Sequence, residues 1–191
     1  MPPSIRRATP ADIPALEALI ARSAAALSAG FYTAEQTAAL AREVFGVDTQ
    51  LVADGTYFVV DHDGAAIACG GWSRRSTKFG ADKMKTAPDR LLDPATEPAR
   101  IRAFFVDPAA ARRGHGSALM RHCALAAAAA GFTRLELVAT MPGVPLYLAR
   151  GFHVVERFDL PLSGLVAPMA LMQRDLAGQV QPHVHDEHAN R

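Results

Sequence analysis

The sequence predicts a single α/β domain built on a mixed sheet flanked by helices. In the second half, strand and helix patterns alternate from Ile101 onward, the order that brings strands side by side in parallel. In the first half, two strand patterns flank His62-Asp63-Gly64, and the Asp-Gly pair is a hairpin turn that makes those strands antiparallel. The length, 191 residues of which half are hydrophobic, suits one domain with a substantial core.

Taken in order, a strand runs through Ile5 and stops at Thr9-Pro10-Ala11-Asp12. There Thr caps, Pro suits a first helical turn and Asp meets the positive end of the helix dipole. The following helix carries Leu16, Leu19, Ile20, Ser23 and Leu27 on one face and stops at Gly30. Thr33-Ala34-Glu35-Gln36 is a capping box for a second helix, with Leu40, Val44 and Phe45 facing inward and its end near Gly46. Strands over 56–61 and 65–72 form the hairpin. From about Ser76 to Ala99 the chain is polar and proline-rich, with Lys78, Lys83, Lys85, Pro88, Pro94 and Pro98 and no sustained period, which marks a functional or disordered loop. Beyond it the pattern reads strand 101–106, helix 116–130, strand 134–140, short helix 145–150, strand 152–160 and a further strand over 166–172. The domain is expected over 1–175. The remainder, 176–191, is a polar tail in which His183, His185 and His188 stand beside Asp186 and Glu187, read as solvated chain rather than a metal site.

Composition narrows the function. Lys and Arg number 20 against 19 Asp and Glu, a formal charge of +1, which excludes the concentrated basic surface of a nucleic-acid binder. No apolar run approaches the roughly 18 residues of a membrane span. The first residues lack the apolar core of an export signal, so a cytoplasmic location is expected. Cys69 and Cys123 both lie in apolar segments and read as reduced, buried thiols.

The segment Arg112-Arg113-Gly114-His115-Gly116-Ser117 stands between an extended apolar strand and a helix whose inner stripe runs Leu119, Cys123, Ala126, Ala130. The free N–H groups of a helix's first turn and the positive end of its dipole make an anion site, and glycines let a phosphate come close. Two arginines add charge and donors. An ordinary glycine turn fits the same short motif. A Walker loop is excluded because no Lys follows Gly116. A dinucleotide fold is the weaker route: Glu136 lies at its expected distance, but Leu119 stands where its third glycine belongs and Gly114 is too far beyond Val106.

Three segments together, Ile101-Arg102-Ala103-Phe104-Phe105-Val106-Asp107-Pro108, the Arg-Arg-Gly-His-Gly loop and Leu146-Tyr147-Leu148-Ala149-Arg150-Gly151-Phe152, resemble the GNAT superfamily of N-acetyltransferases over about residues 4 to 175. The resemblance implies a single-domain fold with a mostly antiparallel mixed sheet, and acetyl-CoA as co-substrate with no metal. It implies that the backbone near Phe105 and Val106 pairs with the pantetheine arm and that Arg112, Arg113, Gly114, His115, Gly116 and Ser117 receive the pyrophosphate. The family's loop prefers Arg or Gln where this chain has Ala111, with Arg112 next to it. Its frequent Asn, seven residues before the tyrosine and in contact with pantetheine, is Thr140 here.

Tyr147 matches the family tyrosine that protonates the CoA sulfur, and an ordinary phenol is a proton donor at neutral pH. A strand N–H near Phe105 is expected to polarise the thioester carbonyl. By the period of two, Arg100, Arg102, Phe104 and Val106 share one face of their strand, and arginine cannot act as a base. Glu97, His115 or a water chain are left for that role. Trp72, Arg74 and Arg102 are candidate acceptor contacts, with Arg75 and Arg100 adding positive charge that would favour an amine bearing a carboxylate. The expected acceptor is a primary amine of a small molecule or peptide, with no nucleic acid or membrane partner and a homodimer left open. The competing class is a CoA-binding sensor or partner-binding module without transferase chemistry.

Overall fold

The computed structural model describes residues 2–82 and 89–176. Lys83, Lys85 and Pro88 of the long loop and the histidines of the tail lie outside the described residues. In chain order the elements are β1 (Ser4–Arg7), α1 (Ile13–Leu27), α2 (Ala34–Glu43), α3 (Thr49–Ala53), β2 (Tyr57–His62), β3 (Ala65–Ser73), β4 (Ala99–Val106), α4 (His115–Ala129), β5 (Arg134–Thr140), α5 (Val144–Leu148), β6 (His153–Leu162) and β7 (Leu165–Asp175). The strands form one sheet in the order β1-β2-β3-β4-β5-β7-β6. Every neighbouring pair is antiparallel except β4 and β5. The class is therefore a mixed, mostly antiparallel sheet flanked by helices.

Local chemistry sets the element ends. The Thr33 hydroxyl accepts the Gln36 N–H at 3.1 Å and the Gln36 side chain accepts the Thr33 N–H at 3.0 Å, so the capping box closes. Asp63 and Gly64 both take positive φ, 52° and 81°, the backbone that a two-residue hairpin turn needs. Helix α3 has no counterpart in the sequence reading. At five residues it is too short to show a period; Asp48 caps it by accepting the Gln50 N–H at 3.1 Å.

Two of the expected apolar stripes shift. On α1 burial passes through Ser23 and Ala24, while Leu27 is exposed. On α4 the buried face is Leu119, Met120, Cys123, Ala124 and Ala127, with Ala126 half-buried and Ala130 exposed. The alanine-rich second half of that helix offers no polar face to orient it. Leu176, placed in the tail by the sequence, is buried, and its N–H donates to the Thr133 carbonyl at 2.7 Å.

Helices α4 and α5 pack on one face of the sheet, where Leu119, Cys123, Val144 and Tyr147 meet Phe58, Val60 and Ala68. Helices α1 and α3 cover the other face through Leu16, Leu19, Ile20 and Leu51 against Val59 and Cys69, and α2 continues that layer through Leu40 against Leu160 and Met169.

Strand β4 departs from regular alternation. Its pairing with β3 slips between Cys69–Phe105 and Gly71–Arg102, and Ala103 adopts a left-handed φ of 54°. This bulge reverses which residues face which layer. Ile101, Phe104 and Val106 join the α4 side, whereas Ala103 and Phe105 join the α1 side. The expectation that Phe104 and Val106 share a face with Arg100 and Arg102 is thus corrected, since the period of two holds only in an unbulged strand.

Candidate active site

Strands β4 and β5 pair only at Ala99–Leu135 and Arg100–Glu136, although both continue to Val106 and Thr140. Their remaining lengths part into a gap. The first four residues of β4 are accordingly buried and its last four only partly so. Backbone groups on the β5-facing edge of Phe105 and Val106 therefore border an opening in the sheet.

Helix α4 begins at the mouth of this gap. Arg112 (φ 62°) and Gly114 (φ 88°) are both left-handed, a conformation that turns successive N–H groups to one side of the loop. The Ala118 N–H closes the first helical turn on the Gly114 carbonyl at 2.9 Å, which leaves the amides before it free of that ladder. Arg112 and Arg113 are exposed. Gly116 is buried, and a Cβ there would lie 3.2 Å from Leu146 Cδ2 and 3.7 Å from Val106 Cγ2. Its missing side chain thins α4 where the helix approaches α5 across the gap.

Between the first turns of α4 and the end of α5 lies a cleft of about 490 Å³, lined by Gly114, Ser117, Arg121, Ala149, Arg150 and Arg174 among others. The Arg174 guanidinium stacks on Phe152 at 5.2 Å and donates to the Arg150 carbonyl at 2.9 Å. These three arginines escaped the sequence reading. Arg121 could have been found from its helical spacing after Gly114 and Ser117, whereas Arg150 and Arg174 reach the cleft only through tertiary packing.

Tyr147 is 8% exposed, and its ring lies edge-on to Phe152 at 5.8 Å. Burial pushes its phenol well up, so it carries its proton throughout the neutral range. A Cβ on Gly143 would come within 3.0 Å of the tyrosine ring, so the glycine lets the turn after β5 fold over it. Thr140 ends β5 beside that turn. Burial also raises the thiols of Cys123 and, to about 12, Cys69, which holds both protonated.

The proposed cluster of acceptor-side arginines does not form. Arg102 is buried and donates to Asp48 Oδ2 at 2.8 Å and to the Thr77 carbonyl at 2.9 Å. Burial pulls its guanidinium down and Asp48 pushes it back up. Arg100 pairs with Glu136, whose other oxygen accepts from Gln173 at 2.7 Å, and Arg75 pairs with Asp54 at 2.7 Å. Arg74 is exposed. Arginines near in sequence were separated because Arg75, Arg100 and Arg102 each met a different carboxylate. Trp72 is also misplaced as an acceptor contact: it is 5% exposed and packs on Phe132, in the core beneath α4. Glu97 is claimed by Arg90 at 2.5 Å and by the Asp93 N–H, which hold its carboxyl down at about 2 and make it a poor base. His115 is the first residue of α4, at the loop rather than inside the gap. Among the described residues no group of three or more His, Cys, Asp or Glu is placed to hold a metal.

A sheet parted between two parallel strands, with a helix N-terminus at the opening and a buried tyrosine beside it, defines the class of acetyl-CoA-dependent acyltransferases. The sequence profile described as Acetyltransferase (GNAT) family matches residues 22–152, and the chain belongs to that family. Its fold is shared with a GCN5-related N-acetyltransferase from Rhodopseudomonas palustris, with a TM-score of 0.65 and 18% identity over 91% of this chain and 95% of that one. PaiA N-acetyltransferase from Thermoplasma acidophilum in complex with coenzyme A superposes with a TM-score of 0.64 and 14% identity over 92% and 99% of the two chains. For yncA from Salmonella typhimurium with its cofactor acetyl-CoA the values are 0.62 and 16% over 96% and 99%. No curated protein sequence matches the chain.

Proposed function

We propose that this chain transfers the acetyl group of acetyl-CoA to a primary amine of a small molecule or peptide, by direct attack within a ternary complex. The observation that carries the reading is the gap between β4 and β5 with the α4 N-terminus at its mouth and Tyr147 beside it. Amides from Arg113 to Ser117 receive the pyrophosphate, and the cleft with Arg121, Arg150 and Arg174 takes the outer, phosphate-bearing end of the cofactor. The pantetheine arm lies along the free edge at Phe105 and Val106, near Thr140, and a β4 N–H polarises the thioester carbonyl.

The amine nitrogen forms a bond to the acetyl carbon while the carbon–sulfur bond breaks. The Tyr147 hydroxyl gives its proton to the departing sulfur, and the proton lost by the acylated nitrogen passes through water to restore the phenol. Removal of the cofactor arm from solvent favours attack by amine over hydrolysis.

The direct test is a thermal scan coupled to a thiol assay. Acetyl-CoA should raise Tm by mass action while NAD and ATP do so far less, and an amine panel should then release free CoA thiol. Equal shifts with NAD would sink the reading. A CoA-specific shift without thiol release from any amine would identify a CoA-binding sensor instead.

A further inference from the structure

The cofactor's anchor lies on the α4 side of the sheet, so an amine in a ternary complex reaches the gap from the α1–α3 side. What lines that approach is aromatic. On β4 the bulge at Ala103 turns Phe105 to this side, and on β5 Val138 shares a face with Glu136 by the strand period. Phe45, just past α2, lies edge-on to Phe105 with ring centroids 5.4 Å apart, and it packs against both clusters on this side. Phe79 comes in from the segment after β3, and Phe158 from β6. All five are half-buried, not sealed in the core. Five half-buried apolar side chains from five separate segments, packed on the face of the sheet from which an amine would approach, form the kind of patch that recognises a ligand.

Among the described residues, the buried charges beside this patch already have partners. Asp48 holds Arg102 at 2.8 Å. Glu136, at the closed end of the gap, holds Arg100, with Lys78 at 3.7 Å and Gln173 at 2.7 Å. A second charge on the acceptor, whether the extra ammonium of a polyamine or the carboxylate of an amino acid, would lose water on this apolar surface, and the buried charges Arg100, Arg102, Asp48 and Glu136 are already engaged.

Resting on the acetyltransferase reading, we propose that the acceptor is a primary amine on an uncharged, apolar and preferably aromatic body, seated against Phe45, Phe79, Phe105, Val138 and Phe158. The acceptor amine is the one charged group it brings, and that charge is lost with a proton before the neutral nitrogen attacks.

The experiment uses the full chain with saturating acetyl-CoA and four amines: phenethylamine, glycinamide, spermidine and glutamate. Phenethylamine should have the highest kcat/KM, at least about tenfold above glycinamide, since even one methylene in an apolar pocket is worth about 10-fold or more. Phe79→Ala should raise the phenethylamine KM by about tenfold and leave the acetyl-CoA thermal shift in place. Phe79→Leu, which keeps apolar volume, should restore most of the loss and covers the case in which the alanine variant is poorly folded. Preference for spermidine or glutamate, parity of phenethylamine with glycinamide, or an unchanged KM in a folded Phe79→Ala protein would each overturn the proposal. So would turnover of other amines but none of these four, whereas an acetyl-CoA shift with no amine turned over at all is the sensor outcome and a failure of the acetyltransferase reading. Absence of any acetyl-CoA shift is likewise a failure of that reading, on which the proposal rests.

Discussion

At the scale of single residues, environment separates side chains that the sequence treats alike. Tyr147 sits in a core whose burial raises its phenol, so it holds its proton across the working range, as the proposed general acid requires. Tyr147→Phe keeps the ring and its contact with Phe152. It should lower kcat by about 10²–10⁴-fold with Tm and acetyl-CoA binding nearly preserved, in steady-state assays where chemistry limits turnover. A purely packing role for the hydroxyl would instead change stability by about 1 kcal/mol and spare kcat. Arg102 and Arg74 differ in the opposite way. Arg102→Ala removes one side of a buried ion pair from Asp48 and should cost about 3–5 kcal/mol in denaturant melts. Exposed Arg74→Ala should stay within about 0.5 kcal/mol of the parent. A comparable loss at both positions would contradict the buried ion pair.

At the scale of elements, the important irregularity is the bulge in β4. Tyr57 donates from its hydroxyl to the Ala103 carbonyl at 3.1 Å, which pins the chain where φ is left-handed. A β-branched residue tolerates that conformation poorly, so Ala103→Val should destabilise by about 1–3 kcal/mol. Ala103→Gly relieves the strain and should lie within about 1 kcal/mol of the parent. The valine variant should also weaken acetyl-CoA binding, because the bulge sets the edge of β4 that borders the gap; isothermal titration would show it. If both substitutions leave Tm and affinity alone, the bulge is not a strained feature. Close approach has a similar meaning at Gly70, where an added Cβ would strike the Phe104 ring at 2.5 Å. The bulge turns Phe104 onto β3, and only a glycine there leaves it room.

For the whole molecule, ion pairs tie separate segments together and make stability depend on acid. Arg6 holds Asp12, Arg75 holds Asp54, Arg22 holds Asp107 and Arg90 holds Glu97, and each pairing lowers the carboxyl. Glu97 moves from its ordinary 4.5 to about 2. A carboxyl lowered on folding contributes stability that is fully present above its unfolded value and is lost as pH falls through its folded value. Tm should therefore be level above about pH 5 and fall steadily between about 4.5 and 2, with part of the difference screened by salt because these pairs are partly exposed. A Tm that holds constant down to about pH 2 would show that the pairings are absent in solution. Much of this molecule was legible in the chain itself. The Asp63-Gly64 turn, the Thr33 capping box and the three motifs from Ile101 to Phe152 determined the fold class, most element positions and the family, because they depend on local backbone preference and short-range hydrogen bonding. Tertiary structure alone decided what surrounds the gap. Whether an arginine is free or paired depends on carboxylates far away in sequence, Asp48 for Arg102 and Glu136 for Arg100. Which face a β4 side chain takes depends on a bulge that no strand period encodes, and the aromatic patch we propose for the acceptor comes from five segments that come together only when the chain is folded.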